Sequence, residues 1–313
     1  MPFKKTLQKF NAAIKEVEIG VGDKALKLGG EQVLSLYQFD GEIKNPPAVG
    51  VEISDKGPDL SVPGIAAFYA GAGSVPDAAA KACAMPGVSF VSILLESADP
   101  NGDNKPVEES VALCKAVAEK VSLPLVIQGS GNMEKDKELF PKVAEALQGK
   151  NVLLLSAKEE NYKAVAVAAV QAYNQKIGAE SSVDINLAKQ LNVLIFQMGI
   201  NPSSVVMNVG NATVGYGFEY VASTMERIKL AALAQNDAML QMPIITPLGT
   251  DVWSVKESMA GEEDIPEWGP REERGINMEV STAVSVIAAG SNAVILRHPQ
   301  SVAAVAEFIS HLI

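Results

Sequence analysis

From residue 46 to the C-terminus the chain repeats one pattern eight times: a short apolar run of strand length, then an amphipathic or Ala-rich run of helix length. The strand-like runs are 49–53, 90–95, 125–128, 152–155, 183–185, 205–208, 244–246 and 294–296. The helix-like runs are 75–85, 106–121, 135–147, 161–176, 187–197, 219–240, 277–289 and 301–312. Strands that read as continuous Val/Ile/Leu, separated by helices, predict a parallel sheet covered on its outer face. Eight such units, with a helix after the last strand, predict closure into an α/β fold, a single (β/α)8 TIM barrel. An open doubly wound sheet is the alternative.

Breaker residues support the divisions. Pro86-Gly87, Ser122-Leu123-Pro124, Gln148-Gly149 and Asn201-Pro202 each fall between runs. Residues 1–45 follow a different rule. Lys15 to Gly20 alternates polar and apolar, Gly22-Asp23 makes a turn, and Ala25 to Leu28 alternates again before Gly29-Gly30. That is a β-hairpin pattern, placed to plug the bottom of the barrel. The expected organisation is therefore an N-terminal hairpin extension over 1–45 and a barrel over 46–313. The longest non-periodic stretch, 249–274, holds Trp253 and Trp268 among charges; it reads as a functional or partner-facing loop, or as a solvated insertion.

Composition narrows the function. With 313 residues and 48% hydrophobic content a large core is available. The formal net charge of −11 argues against nucleic-acid binding, which needs a basic surface. Only two cysteines are present, Cys83 and Cys114, in Ala-rich stretches with no nearby His. They cannot alone supply the four ligands of an iron–sulfur cluster or structural zinc, and the lack of a disulfide framework fits a reducing cytoplasm. Met1 to Phe10 carries Lys4, Lys5 and Lys9 with no apolar segment following, so no signal peptide is expected. The uncharged stretch 280–296 is broken by Gly290-Ser291-Asn292 and reads as helix, turn and strand rather than a membrane span.

Barrel active sites form where strands end. Behind the strands stand Ser54-Asp55-Lys56, Glu96 to Asp99, Gly129-Ser130-Gly131-Asn132, Ser156-Ala157-Lys158, Asn186, Val209 to Thr213, Pro247 to Asp251 and Arg297-His298-Pro299. This rim of amides, hydroxyls and backbone donors suits a large polar ligand. Glu96 and Asp99 read as an acid–base pair or as helix caps, and Asp184 and Asn186 as inward polar groups or an Asn cap. Lys158 is a weak Schiff-base candidate. His298 reads as a proton-transfer or anion-binding group, or as the cap of the helix that Pro299 opens. His311 reads as a surface residue. Gly71-Ala72-Gly73 lacks the third glycine of a dinucleotide loop. The segment 206–220 is the most informative: a strand ends, Asn208, Asn211 and Thr213 follow, Gly215 and Gly217 flank Tyr216, and a helix begins near Glu219. Its glycines permit close backbone approach to a ligand.

Gly215-Tyr216-Gly217-Phe218-Glu219-Tyr220 after a strand resembles the small (delta-type) subunit of the corrinoid/iron–sulfur protein of the acetyl-CoA decarbonylase/synthase system. So do the hairpin from Glu16 to Gly30, Gln128-Gly129-Ser130-Gly131-Asn132, and Ile295-Leu296-Arg297-His298-Pro299. The resemblance covers essentially the whole chain. It implies a TIM barrel paired with a large corrinoid/iron–sulfur subunit that carries the 4Fe–4S cluster and most of the cobalamin site. Such a heterodimer ferries a methyl group from methyltetrahydrofolate, delivered by a methyltransferase, to acetyl-CoA synthase in the Wood–Ljungdahl pathway of anaerobes. Cobalamin would be shared, with this subunit's rim shielding the corrin. No Asp-x-His-x-x-Gly motif is present, so no histidine ligand to cobalt comes from this chain. The candidate cofactor-binding residues are then Asn208, Asn211, Thr213, Gly215, Tyr216, Gly217, Thr246, Leu248, Gly249 and Arg297. The alternative is a pterin-binding methyltransferase barrel acting on methyltetrahydrofolate. Leu296-Arg297-His298 resembles the ending of dihydropteroate-synthase-like barrels, whereas Pro299 and Asn208 depart from that pattern.

Overall fold

The computed structural model describes residues 6–313; the basic start with Lys4 and Lys5 lies outside the described residues. Two short antiparallel strands, β1 (Val17–Ile19) and β2 (Leu26–Leu28), form the hairpin. Eight parallel strands follow: β3 (Ala48–Ser54), β4 (Phe90–Leu94), β5 (Leu125–Gln128), β6 (Leu153–Ala157), β7 (Lys176–Glu180), β8 (Val205–Asn208), β9 (Ile245–Pro247) and β10 (Ala293–Leu296). Each pairs with its sequence neighbour from β3 to β8, and β10 pairs with both β9 and β3. The last seam, β8 to β9, is a single bridge at Met207 and Ile244, where Met207 N–H donates to the Pro243 carbonyl at 2.8 Å. The sheet is thereby closed, as the eight-unit rhythm predicts.

The helices α1 (Pro63–Tyr69), α2 (Val75–Ala82), α3 (Val107–Lys120), α4 (Met133–Ala146), α5 (Tyr162–Ala166), α6 (Ile185–Gln197), α7 (Phe218–Ala234), α8 (Gly249–Val252), α9 (Lys256–Met259), α10 (Arg271–Ala289) and α11 (Pro299–Leu312) wrap the outside. Side-chain caps fix several starts: Ser74 accepts from Asp77 N–H, Asn132 from Lys135 N–H, and Asp184 from Asn186 and Leu187 N–H.

Strand parity divides the core in two. Val49, Val51, Ile53, Val91, Ile93, Ile127, Ile177, Val294 and Leu296 face the helices. Ala48, Phe90, Val126, Leu153, Val206, Ile245, Ala293 and Ile295 face inward and form a second cluster with Val17, Ile19 and Leu28 of the hairpin. The hairpin thus plugs the barrel floor. Inside, Gly50 leaves the space that the Phe90 ring fills. The extension is fastened by Asn151, whose amide donates to the Glu18 and Gly20 carbonyls at 2.9 Å, and by a buried Lys229–Glu31 pair at 2.7 Å.

Four expectations need correction. The fifth strand is Lys176–Glu180, not 183–185. Its sequence hides it, because inward Gly178 must be small: a Cβ there would meet Leu155 Cδ1 at 2.6 Å. Val183 instead sits at φ +49 in the turn that Asp184 closes as the cap of α6, so the cap is Asp184 and not Asn186. The helix expected over 161–176 ends earlier, in a π turn over Val167–Ala172. The stretch 249–274 is not structureless either: it contains α8, α9 and the start of α10.

The floor packing generates a stability prediction. Ile19 is fully buried against the barrel interior, whereas Glu18 points to solvent. Ile19→Ala is expected to cost about 2–5 kcal/mol, and Glu18→Ala under about 1 kcal/mol. Urea unfolding of both variants measures this. Equal costs would refute the plug.

Candidate functional site at the barrel mouth

The inward-facing positions change character along the barrel. Below they are apolar; at the carboxyl ends Glu52, Gln128, Glu180, Asn208 and Arg297 occupy the same parity. With the loops behind the strands they surround a cavity of about 390 Å³. Glu52, Glu96, Gln128, Asp136, Lys158, Glu180, Asn208, Asn211, Thr250 and Asp251 supply most of its polar lining.

Most of these groups are partnered across strands. Glu52, nearly fully buried, accepts from Arg297 Nη2 at 2.6 Å, Gln128 Nε2 at 2.8 Å and Thr250 Oγ1 at 3.1 Å. Lys158 pairs with Glu180 at 2.9 Å. Asn208 donates to Ser156 Oγ at 3.2 Å and accepts from Gly210 N–H at 3.1 Å. Asn211 donates to Asp251 at 2.9 Å. Burial, reinforced by nearby Glu52 and Glu180, lifts the Asp251 carboxyl above its ordinary range despite that bond. Burial likewise lifts Asp136, which accepts from both Ser130 N–H and Ser130 Oγ at 2.8 Å. Gly129 makes that approach possible: a Cβ there would meet Asp136 Oδ2 at 2.6 Å.

The sequence-derived candidates separate into groups. Asn208 and Asn211 line the cavity, and Arg297 reaches its edge through Glu52. Gly249 packs where a Cβ would meet Glu52 Oε1 at 3.0 Å. Thr246 and Leu248 are fully buried on the helix-facing side, Thr246 bonded to Ser291 Oγ at 2.8 Å. Thr213 is buried under the β8–α7 loop. Gly215, Tyr216 and Gly217 stand outside the cavity at the rim; Gly215 and Gly217 are left-handed, and half-exposed Tyr216 donates to Glu257 Oε2 at 2.6 Å. The inward residues Glu52, Glu180 and Asp136 were not among the candidates. Parity is the signal that finds Glu52: it is a charge inside the alternation Gly50, Glu52, Ser54 on an otherwise apolar strand.

His298 is fully buried, and its role is structural. Its Nδ1 accepts from Gln300 N–H at 3.1 Å as the cap of α11, its Nε2 lies 2.9 Å from Glu272, and Trp253 stacks on the ring. Burial holds the imidazole below its usual range against the pull of Glu272. Asp99 is no N-cap; it ends the short 3-10 turn Glu96–Ala98 and accepts from Asn101 N–H at 2.9 Å. Behind the last strand, fully buried Glu279 accepts from Arg297 N–H at 2.6 Å and His298 N–H at 3.2 Å. It sets the backbone from which the Arg297 guanidinium reaches Glu52.

Burial raises the Glu279 carboxyl above its ordinary value of 4.5, opposed by those hydrogen bonds. A carboxyl raised on folding binds its proton more tightly in the native state. Its contribution is complete below the unfolded value and is lost as pH rises through the folded one. Glu279→Gln is therefore expected to flatten the decline of stability with pH above about 4.3. Urea midpoints across the range test this, and parallel wild-type and variant profiles would sink it.

Comparison with known proteins agrees with this architecture. The family model of the CO dehydrogenase/acetyl-CoA synthase delta subunit matches residues 16–307. The acetyl-CoA decarbonylase/synthase complex subunit delta of Archaeoglobus fulgidus is 33% identical over 300 residues, covering 94% of this chain and 65% of that relative. Its counterpart in Methanopyrus kandleri is 32% identical, covering 96% of this chain and 75% of that relative. The chain thus spans about two thirds of the first relative's length. Among solved structures, Xanthomonas albilineans dihydropteroate synthase with 4-aminobenzoic acid superposes with a TM-score of 0.57 at 12% identity, covering 94% of this chain and 96% of that one. Yersinia pestis dihydropteroate synthase in a sulfonamide drug complex gives 0.57 at 14% identity, covering 85% and 93%. These likenesses establish the barrel fold. By sequence, the chain belongs to the CO dehydrogenase/acetyl-CoA synthase delta subunit family.

Proposed function

We propose that this chain is the small subunit of a heterodimeric corrinoid/iron–sulfur methyl carrier, lending its barrel mouth as a wall over cobalamin held mainly by a large partner subunit. Family membership supports the setting. The observation that carries the reading is the mouth itself, whose ionic groups are largely committed to one another across the strands. Such a surface presents fixed dipoles to a neighbour and leaves little free acid–base machinery for chemistry of its own.

The residues fit a corrin laid across the mouth. A cavity of about 390 Å³ is too small to enclose the macrocycle, yet its amides and hydroxyls match a periphery rich in carboxamides. Both nitrogens of His298 are engaged, so that side chain is not available to cobalt. Cys114 is buried, and its thiol is pushed up to about 12, which keeps it protonated and unsuited to a cluster. This supports the reading that the 4Fe–4S cluster belongs to the partner. When bound, cobalamin supplies the metal that accepts and donates the methyl group. This chain's residues orient its periphery and exclude water and oxidants from one face. Transient partners would be a methyltetrahydrofolate methyltransferase and acetyl-CoA synthase, in the cytoplasm, where the free thiols of Cys83 and Cys114 persist. No helix among the described residues is long and apolar enough to cross a membrane.

The second reading is a pterin-binding methyltransferase barrel, favoured by the likeness to dihydropteroate synthases in fold. Asn208, at the position where an acid would hold the pterin, is already engaged by Ser156 and Gly210.

The two readings part in one experiment. The chain mixed with a corrinoid-loaded large subunit is expected to co-elute as a heterodimer and to lengthen the lifetime of reduced cobalt, followed by absorbance. Gly215→Val, in a left-handed position with open space around it, is expected to shorten that lifetime while costing only about 1–2 kcal/mol of fold stability. Turnover of methyltetrahydrofolate with free cobalamin by the chain alone would establish the second reading instead.

A further inference from the structure

Beside the mouth lies a separate recess of about 100 Å³, bordered by Ser54, Lys56, Asp59, Tyr69, Glu96 and Arg297. Glu52 and Glu96 line both spaces, so the recess adjoins the mouth. Two side chains face it with unused capacity. Arg297 spends Nη2 on Glu52 at 2.6 Å and Thr250 at 3.1 Å; among the described residues its Nε and Nη1 have no partner. Glu96 accepts from Ser54 through Oε1, and its Oε2 has no partner among the described residues. Lys56 is held outward by Asp103 at 3.1 Å.

Charge and size define what enters. An anion would meet Glu52, Glu96 and Asp59; a cation would meet Arg297 and Lys56. A neutral group that accepts from a free guanidinium N–H and donates to a carboxylate satisfies both walls, and a primary carboxamide does this with one oxygen and one NH2. A water occupies about 30 Å³ of liquid, so the recess takes one small planar group and no ring system. We propose that this recess seats a single primary carboxamide from the periphery of the corrin, with Arg297 donating to its oxygen and Glu96 accepting from its nitrogen. The proposal rests on the wall reading above and deepens it. It gives the ligand a fixed rotational setting on the rim.

The test uses the reconstituted heterodimer, titrated by absorbance with cobalamin and with its monocarboxylic acid derivatives, each having one peripheral carboxamide replaced by carboxylate. One regioisomer is expected to bind wild type about tenfold or more weakly than cobalamin, the others near-equally. Glu96→Gln should shrink that penalty to about threefold or less, because the like-charge repulsion is removed. Arg297→Lys keeps a positive charge for Glu52 but loses the further N–H groups that face the recess, and should weaken cobalamin to about the level of the disfavoured isomer. The isomer comparison on wild type needs no variant, so it holds even if a variant misfolds. If no isomer stands out, or if Glu96→Gln leaves the preference unchanged, the recess holds only water and the inference falls while the wall reading stands. If no heterodimer forms, or corrinoid binding ignores the whole mouth including Asn211→Ala and Tyr216→Ala, both fall together.

Discussion

Burying the Glu52 carboxyl inside a closed barrel costs several kcal/mol unless partners offset it, and Arg297, Gln128 and Thr250 are those partners. The rest of the mouth is arranged around this requirement. Arg297 must arrive from the last strand, so β10 has to close against β3 in register. Gln128 must arrive from β5 and also reach Ser92 at 3.0 Å on β4. Gly249 must lack a side chain because Glu52 and Arg297 occupy its Cβ space. One charge therefore ties three strands and the start of α8 into a single arrangement. Truncating either end of the pair would leave the other charge uncompensated.

The two ends of the barrel follow opposite physics. At the floor, the hairpin seals an apolar interior with Val17, Ile19 and Leu28, a matter of area removed from water. At the mouth, the inward positions are polar, and order comes from directional bonds with defined geometry. A floor of that kind confers stability and permits the mouth to be costly. The carboxyls of Asp136, Asp251 and Glu279, all raised by desolvation, are the features that a fold optimised only for stability would lack. Glu279 acts one layer further back: by holding two backbone N–H groups it aims Arg297 without touching the cavity.

Much of the fold was legible in the order of residues. The eightfold rhythm, the plug and the His298 cap of α11 are local patterns, each governed by periodicity or by one side chain bonding a nearby N–H. The failures share a cause. β7 was invisible because its inward Gly178 is dictated by Leu155 on the next strand, not by its own neighbours. The start of α10 was missed because Arg271 to Arg274 is charged and polar; Arg274 is held by the carbonyls of Glu257, Gly269 and Ala260 in the preceding loop. The rim segment 215–217 drew attention through its glycines and stands at an exposed edge, while the cavity is built by inward carboxyls one layer below.

What the sequence by itself determined is the barrel, the hairpin at its floor and a mouth rich in amides and hydroxyls, because strand and helix periods and turn chemistry are short-range properties. Only the tertiary structure decided which of those groups meet. Glu52 and Arg297 are separated by 245 positions, Asn211 and Asp251 by 40, and no local rule pairs them. Closure of the barrel converts parity along eight separate strands into one polar layer. In that layer bond distances, rather than residue types, settle which donors are spent inside the protein and which are left for a ligand.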